Sequence, residues 1–452
     1  MPPSAAGWAV ISTVFPAAFP IIMLVPSSLR PLARHAAQDL ARHTGRTILL
    51  VLLSVVLFAT SFAAISYHDL QSQVNRIDVN NLLGTDRPTR ADADTGGEAV
   101  ADSYAGRAVN ILVMGTDTRA GANNIDGADG SEDVAVARSD TAMILHVSAD
   151  RSRIEVVSIP RDTLLDIPKC MQADGTESHA QDDTMFNTAF SNGAGENSSP
   201  EAVAAGAACT IKTVEQLTGI FIDEYMVVDF SGLSTMVDAL GGVQVYVEED
   251  IYDPDHTGLE LEAGCYHMDG LTAVQYARVR YGVGYDGSDL NRIGRQQNLM
   301  AAMLRTAQQK NLLTSATDLY SFARSALATL TTSPGIGELT TLAGLAQSIA
   351  SIGMDNVRFV TMPVAPAPSD PDNRVVPSWE AEAVWDALIN DTPVPDESVT
   401  VQGDGGVPSD SASTDAPGSA DGSTDEGTPE EDAQVGAPPT EDPAAACYNL
   451  QH

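Results

Sequence analysis

The chain has 452 residues and a formal net charge of −37, from 24 basic and 61 acidic side chains. No Lys or Arg follows Arg374, so much of the negative charge belongs to the C-terminal end rather than to a folded surface. Because nucleic-acid binding requires a basic face, this charge balance argues against a general DNA- or RNA-binding protein.

An uncharged apolar run occupies residues 47–66. Its length matches the roughly 20 residues with which a helix crosses the hydrocarbon core of a bilayer. Four arginines precede the run: Arg30, Arg34, Arg42 and Arg46. Basic residues stay in the cytoplasm, so segment 1–46 is predicted to be cytoplasmic and everything after the span extracytoplasmic. A cleaved signal peptide is the alternative, although the run is long for one.

An earlier apolar stretch at residues 8–26 contains Pro16 and Pro20, which weaken a helix. The stretch is either a second span or sequence upstream of a true start at Met23. The protein is therefore predicted to be single-pass or two-pass in the bacterial cell membrane. In both cases the arginine cluster stays inside and the rest of the chain outside.

Composition divides the remaining chain into three parts. Residues 67–107 are polar and follow the span, so they are predicted to form a stalk. Residues 108–391 carry dense apolar periodicity and are predicted to form one large domain. Residues 392–452 are rich in Asp, Glu, Ser, Gly and Pro, and such a tail is predicted to be disordered because it cannot bury a core.

Within the large domain, strand and helix patterns alternate. Strands are predicted at 109–115, 141–147, 154–159, 224–228 and 243–247. Helices are predicted at 201–217, 232–240, 272–276, 295–310 and 379–389. The alternation indicates an α/β fold in which helices cover a central sheet.

All four cysteines lie beyond the predicted span. An even number in an oxidising compartment predicts disulfides, with three pairings open. Cys170–Cys209 is favoured because it closes a local loop, and Cys265–Cys447 is the hypothesis that ties the tail back to the domain. None of the cysteines has the spacing of zinc ligands.

Two aspartates stand at predicted strand ends, where α/β folds usually place their sites. Asp117 follows the first strand in GTDTR, and Asp140 precedes the next strand in RSDT. Two neighbouring carboxylates could hold Mg²⁺, which requires oxygen ligands. Taken alone the signal is weak, because surface turns hold aspartate routinely.

Six arginines strengthen the prediction of a functional site, because they too lie near predicted strand and helix ends: Arg138, Arg161, Arg278, Arg280, Arg292 and Arg295. Arg278 and Arg280 are two residues apart and would face the same side of an extended segment. Arg292, Arg295 and Gln296 open a predicted helix, whose N-terminus favours a bound anion. Any one of these arginines could be explained as part of a surface ion pair. Whether all of them converge on one site is a question that requires a structure.

The motifs of several nucleophilic and metal-dependent enzymes are absent from the sequence. It contains no G-x-S-x-G elbow, no H-E-x-x-H and no P-loop. The eight histidines form no motif and are interpreted as structural or solvated.

Seven segments stand in the order found in the LytR-CpsA-Psr family: GTDTR, RSDT, SIPRDTLLDIP, FNTAF, VDFSGLSTMVDALGGVQV, LEAGCYHMDGLTAVQYARVR and DLNRIGRQQN. The chain resembles that family closely over about 108–310. The resemblance implies a membrane-anchored α/β/α sandwich with a central mixed sheet and an apolar pocket for a polyprenyl chain. It also implies an enzyme of cell-wall assembly that transfers a glycopolymer from a polyprenyl-pyrophosphate carrier to peptidoglycan through a phosphodiester bond.

The resemblance also implies roles for individual residues. Asp117 and Asp140 would hold Mg²⁺ or Mn²⁺. Six residues would contact the pyrophosphate: Arg138, Arg161, Arg278, Arg280, Arg292 and Gln296. Arg119, Arg295 and Asn187 are further candidates for substrate binding. The chain departs from the family pattern by an insertion at 120–137, by Met185 in place of a frequent basic residue, and by a longer loop at 281–291.

Two other functions fit the same residues. A polyprenyl-pyrophosphate pyrophosphatase would use this charged site with water as the acceptor. A non-catalytic envelope scaffold or transcription attenuator would bind the lipid-linked precursor without turnover. The predicted partners are a polyprenyl-pyrophosphate-linked glycopolymer, peptidoglycan and the membrane, and no nucleic acid.

Overall fold

A computed structural model describes residues 30–90, 102–116, 138–195, 197, 199–280, 289–310, 316–327, 329–349, 351–402 and 447. The chain divides into two units, Met1–Ile65 and Ser66–His452. The stretch 8–26 lies outside the described residues, so the second span stays a prediction.

Ten helices are described, beginning with the long helix that carries the apolar run. They are α1 (Arg30–Gln73), α2 (Asn80–Leu83), α3 (Thr188–Ala194), α4 (Pro200–Thr218), α5 (Phe230–Ala239), α6 (Gly270–Arg278), α7 (Asp289–Gln309), α8 (Ala316–Leu327), α9 (Leu339–Ile349) and α10 (Glu380–Ile389). Short 3-10 turns cover Met354–Asn356 and Asp396–Ser398.

Within the described residues, one helix is long and apolar enough to cross a membrane, and it covers Arg46–Gln73. Large apolar side chains from Ile48 to Ile65 are exposed along it. Such a continuous apolar surface suits lipid rather than water. The helix therefore fits the membrane anchor predicted at 47–66, and the cytoplasmic placement of 1–46 stays a prediction.

Sixteen strands are described. They are β1 (Asn75–Arg76), β2 (Val109–Thr116), β3 (Ser139–Val147), β4 (Ile154–Ser158), β5 (Leu164–Ile167), β6 (Gln181–Met185), β7 (Glu224–Asp229), β8 (Val243–Val247), β9 (Ile251–Asp253), β10 (Leu259–Leu261), β11 (Gly264–Met268), β12 (Leu330–Thr332), β13 (Val357–Thr361), β14 (Val364–Pro366), β15 (Val375–Pro377) and β16 (Val399–Gln402).

Eight of these strands form the central sheet, in the order β1-β12-β7-β2-β3-β4-β13-β16. The sheet is mixed, because β2 is parallel to β7 and antiparallel to β3, which is antiparallel to β4. The remaining strands form the two-stranded sheets β5–β6, β8–β11, β9–β10 and β14–β15. The predicted central mixed sheet is thus confirmed.

Helices cover both faces of this sheet. On one face Leu112 and Ile144 pack in a buried cluster with Ile211 of α4 and Trp385 of α10. On the other face Met143, Val156 and Phe359 form a separate cluster with Ala301 of α7. Alternate residues of a strand point to opposite faces, so adjacent Met143 and Ile144 serve different clusters. The predicted α/β/α sandwich is confirmed.

The structure moves both predicted boundaries of the domain. Part of the predicted stalk at 67–107 belongs to the fold, since β1 pairs with β12 and Val79 and Leu83 are buried in the core. At the other end β16 pairs with β13, so the domain extends past residue 391 to Gln402. Both segments are polar on average, and a few apolar side chains suffice to dock them. The acidic tail beyond Gln402, except Cys447, lies outside the described residues.

Both hypothesised disulfides are present. Cys170 is bonded to Cys209 with a Cα–Cα distance of 5.3 Å, and Cys265 is bonded to Cys447 with a Cα–Cα distance of 5.5 Å. The first bond joins the segment after β5 to α4. The second attaches the C-terminal end of the chain to β11, which confirms the hypothesis of a tethered tail end.

Candidate active site

The site lies at one edge of the central sheet. The C-terminal ends of β2, β4 and β7 meet the N-terminal end of β3 there, since Thr116 pairs with both Ser139 and Asp229. Asp140 is the second residue of β3 and therefore stands at this edge. Open α/β sheets bind ligands beyond the carboxyl ends of their strands.

Asp140 is the centre of an arginine cluster. Its Oδ1 accepts a hydrogen bond from Arg161 Nη1 at 3.0 Å, and its Oδ2 accepts one from Arg280 Nη2 at 3.2 Å. Arg292 donates from Nη2 to the Asp140 backbone carbonyl at 2.8 Å. The three guanidiniums come from separate parts of the chain. The structure therefore brings these three arginines together at Asp140, which no single motif could show.

A second aspartate, Asp289, holds two of these arginines in position. Its Oδ2 accepts the backbone N–H of Arg161 at 3.0 Å, and its Oδ1 forms an ion pair with Arg292. The Asp289 and Arg292 side chains are only 6% and 3% exposed. Burial raises the pKa of Asp289 against the opposing effect of Arg292, and burial lowers the pKa of Arg292. The pair is thus a buried charge pair, in which the cost of desolvating both charges opposes the attraction between them.

Gln296 is held beside Asp140 by its neighbour Thr141. The Thr141 hydroxyl donates to Gln296 Oε1 at 3.0 Å, and Gln296 Nε2 donates to the carbonyl of Ala277 at 3.3 Å. An amide nitrogen has two donors, so this arrangement leaves one for a ligand. The preceding residue on α7, Arg295, donates to the carbonyl of Val279 and is buried.

The structure corrects the prediction that Arg278 and Arg280 face one side. Arg278 is the last residue of α6, so the pair spans a helix end rather than an extended segment. Its guanidinium lies 4.7 Å from the centre of the Phe230 ring, whereas Arg280 contacts Asp140. Arg138 is exposed, and among the described residues no hydrogen bond or ion pair joins it to the cluster.

Asn187 precedes the first residue of α3 and contacts the backbone of Arg161. Its backbone N–H donates to the Arg161 carbonyl at 3.1 Å, which holds the turn after β4 against α3. The side chain is buried, and its Oδ1 has no hydrogen-bond partner among the described residues. A buried polar atom without a partner is unusual, which keeps Asn187 among the candidates for substrate contact.

Two predicted residues, Asp117 and Arg119, lie outside the described residues. The last described residue before them, Thr116, pairs with Ser139, which precedes Asp140. No group of three or more His, Cys, Asp or Glu side chains that could hold a metal occurs within the described ranges. Of the two predicted metal ligands, Asp140 is the one that lies within the described residues.

The sequence interpretation missed Asp289 and Asp162. In the sequence, Asp289 has no assigned role beyond being the first residue of DLNRIGRQQN. An acidic residue in the first turn of a helix, three residues before an arginine, nevertheless indicates a local ion pair. Asp162 follows Arg161, and its Oδ1 lies 3.6 Å from Arg161 Nε. Both add negative charge to a site that the sequence presented as arginine-rich.

Comparison with known proteins adds a family. A model of the LytR_cpsA_psr family matches residues 67–388. The chain is 32% identical over 230 residues to the probable cell wall biosynthesis protein LcpB of Corynebacterium glutamicum, which covers 50% of this chain and 48% of that protein. It is 33% identical over 193 residues to the polyisoprenyl-teichoic acid–peptidoglycan teichoic acid transferase TagU of Halalkalibacterium halodurans, covering 42% and 55%. The chain spans about half the length of these relatives.

Two solved structures are similar to this chain at low sequence identity. A LytR-Csp2A-Psr enzyme from Actinomyces oris is 20% identical, with 67% of this chain and 96% of that chain covered and a TM-score of 0.46. The structure described as TagT bound to LI-WTA is 20% identical, with 70% and 99% covered and a TM-score of 0.49.

Proposed function

The chain belongs to the LytR_cpsA_psr family, and on that premise we propose that it transfers a glycopolymer from a polyprenyl-pyrophosphate carrier to peptidoglycan. The reaction joins the two through a phosphodiester bond and releases polyprenyl phosphate, with the lipid chain held in an apolar pocket of the domain. The observation that carries the proposal is the convergence of Arg161, Arg280 and Arg292 on Asp140. The TagU relative, a teichoic acid transferase by name, supports this reaction class.

The arrangement suits a pyrophosphate because of where its charges stand. Two linked phosphates carry concentrated negative charge, and more develops on the transferred phosphoryl group in the transition state. Guanidiniums that are already oriented stabilise that charge without reorganising at the moment of reaction. Asp140 and Asp289 supply the orientation, since Asp140 contacts all three arginines and Asp289 contacts Arg161 and Arg292. A guanidinium has five N–H donors, so these contacts leave others for phosphate oxygens.

We also propose that Asp140 and Asp117 hold a divalent cation, Mg²⁺ or Mn²⁺. Carboxylate oxygens are the ligands these ions prefer. Asp140 shares its two oxygens with Arg161 and Arg280, so a cation bound there would compete with these arginines unless the pyrophosphate takes them over. When bound, the cation would add positive charge beside the phosphate oxygens. The residues fit such an ion in type.

An extracytoplasmic location for the domain is part of the proposal. The helix Arg46–Gln73 fits a membrane anchor. Two disulfides lie in the part of the chain that follows it, and disulfides persist in oxidising compartments rather than in the cytosol. Polyprenyl-linked precursors and peptidoglycan would both be within reach on that side of the membrane.

The test is transfer by the full-length chain in detergent micelles, given Mg²⁺, a polyprenyl-pyrophosphate-linked sugar and peptidoglycan oligomers. We expect a phosphodiester-linked sugar on peptidoglycan, detected by mass spectrometry, and its loss in Asp140→Asn. Asp396→Asn is the matched control, because Asp396 also accepts an arginine hydrogen bond (2.9 Å from Arg358) but is exposed and outside the site. Release of polyprenyl phosphate without a linked product would favour the pyrophosphatase. Bound but unchanged lipid would favour the scaffold.

Removal of divalent cations tests the metal separately. We expect a chelator to abolish transfer and added Mg²⁺ or Mn²⁺ to restore it, because the cation offsets charge that the arginines alone leave uncompensated. The measurement is the initial rate of product formation against free metal concentration. An unchanged rate in excess chelator would contradict the metal proposal and leave the arginine site in place.

A further inference from the structure

Among the described residues, three aspartates border the arginine cluster, and their carboxylates are engaged to different degrees. Asp140 accepts arginine hydrogen bonds at both oxygens. Asp289 is buried, accepts the backbone N–H of Arg161 and forms an ion pair with Arg292. Neither could take a proton without weakening its hold on a guanidinium. The third, Asp162, is in a different situation.

The Asp162 carboxylate accepts no hydrogen bond from any described residue. Its nearest cation is Arg161 Nε, at 3.6 Å from Oδ1, and its side chain is 19% exposed. The backbone around it is nonetheless held in place. Buried Thr163 donates from Oγ1 to the Pro160 carbonyl at 2.7 Å, and the Asp162 carbonyl accepts the N–H of Val375 at 3.4 Å. The carboxylate is therefore positioned next to the cluster and not occupied by it.

We infer that Asp162 is the general base that takes the proton of the acceptor hydroxyl. This assignment rests on the proposed transferase function. The hydroxyl O–H bond breaks, and the proton moves to an Asp162 carboxylate oxygen. The hydroxyl oxygen forms its bond to the sugar-side phosphorus, and the bond from that phosphorus to the bridging oxygen breaks. Polyprenyl phosphate leaves with the bridging oxygen and its electron pair, so atoms and charges balance.

The charges around Asp162 support this role. Burial raises its pKa and Asp289 adds to the shift, while Arg161, Arg374 and Arg292 oppose it. Arg161 belongs to the same turn, Asp289 and Arg292 to α7, and Arg374 to the segment before β15. A carboxylate whose pKa moves toward the working pH is a stronger base while still ionised. Since the three arginines stay protonated, Asp289 is the neighbour that also titrates.

The pH dependence follows with a definite sign. Transfer requires ionised Asp162, so the rate falls as pH drops through the pKa of this carboxyl. Because that pKa is raised, the fall begins at higher pH than the ordinary aspartate value of about 3.9. Removing the carboxylate removes this acidic limb and lowers the remaining rate. An asparagine keeps the size of the side chain but cannot accept the proton.

The experiment compares Asp162→Asn with the wild-type full-length chain in the transfer assay across pH. We expect kcat to fall by about 10²–10⁴-fold, the contribution usual for general base catalysis, with the KM for the lipid-linked donor unchanged. The acidic limb of kcat should disappear, and Asp162→Glu should recover part of the rate. Asp166→Asn is the matched control, since Asp166 lies on the following strand, is exposed and accepts only the N–H of Asp183. A fall in kcat at acidic pH that remains in Asp162→Asn but is lost when Asp289→Asn is added would be assigned to Asp289.

Each other result has a distinct meaning. A wild-type rate in Asp162→Asn, or an intact acidic limb with a raised KM, would overturn the assignment and make Asp162 a structural or donor-binding residue. A wild-type chain that forms no linked product would contradict the transferase function itself, and the base assignment would fall with it. Thermal unfolding of the variants excludes misfolding as the cause of a lost rate.

Discussion

Replacing Arg280 with alanine is expected to lower kcat/KM for transfer by about 10²–10³-fold, the usual loss when one preorganised donor to a developing negative charge is removed. Arg280 is 25% exposed and contacts Asp140 through one hydrogen bond of 3.2 Å. Asp140 keeps Arg161 and Arg292 in the variant, so the carboxylate is not left without a partner. The stability of the domain should therefore change little, and the loss should be in catalysis.

The matched control for Arg280 is Arg358→Ala. Arg358 is 28% exposed and makes a 2.9 Å ion pair with Asp396. Arg358 lies on β13 and pairs with Glu155 of β4. This pair is toward the end of the two strands that is away from the site, whereas Thr361 and Ser158 pair at the end near the site. Exposed pairs of this kind contribute about 0–1 kcal/mol to stability. Equal losses of activity in both variants would contradict the proposed role of Arg280.

Arg280→Lys adds a second comparison. Lysine keeps the positive charge but presents no planar fork. If Arg280 acts through charge alone, the lysine variant should retain most of the rate. If it binds phosphate oxygens in a bidentate manner, the rate should fall between wild type and Arg280→Ala, and we expect this second result.

Local patterns carried the prediction of the central strands. Runs such as 109–115 and 154–159 are apolar on both faces because helices cover both sides of the sheet. Helix ends were equally visible: the helix predicted at 201–217 corresponds to α4, after which Gly219 adopts a left-handed conformation with φ of 71°. The family resemblance added the sandwich architecture, which the periodicity alone indicated only as α/β.

Short and edge elements were not predictable in the same way. β1 has two residues and β12 three, so neither offers enough sequence for an alternating pattern. They are strands only because each lies beside a neighbour in the folded sheet. The segment YARVR also reads as an extended alternation, yet packing of α6 against α5 keeps it helical up to Arg278. Tertiary contacts decided these cases.

The site itself depends on contacts between distant residues. Arg292 and Asp140 are 152 residues apart in the chain, and Arg280 and Asp140 are 140 apart. Motif order identified the participating arginines but not their common partner. Asp289 and Asp162 escaped notice for a related reason, since an aspartate becomes informative only when the structure shows what its carboxylate contacts.

Replacing Arg292 with methionine is expected to have the largest effect on stability. Arg292 is almost wholly buried, ion-paired with Asp289 and bonded to the Asp140 carbonyl at 2.8 Å. Removing it would leave the Asp289 carboxylate buried beside only Arg161. Breaking a buried pair in this way costs about 3–5 kcal/mol. The measurement is the free energy of unfolding in guanidinium chloride, with Arg358→Met as the exposed-pair control.

The double variant Arg292→Met, Asp289→Leu separates stability from function. Burial penalises both charges of the pair, as the raised pKa of Asp289 and the lowered pKa of Arg292 indicate. Apolar side chains of similar volume should therefore recover most of the lost stability, because they remove the desolvation cost on both sides. Transfer should remain lost, since Arg161 and Asp140 would no longer be oriented. A double variant that regained activity would show that the pair serves folding alone. Loss of activity with restored stability would mean that the pair is kept, at a cost to stability, to hold the arginine cluster in place.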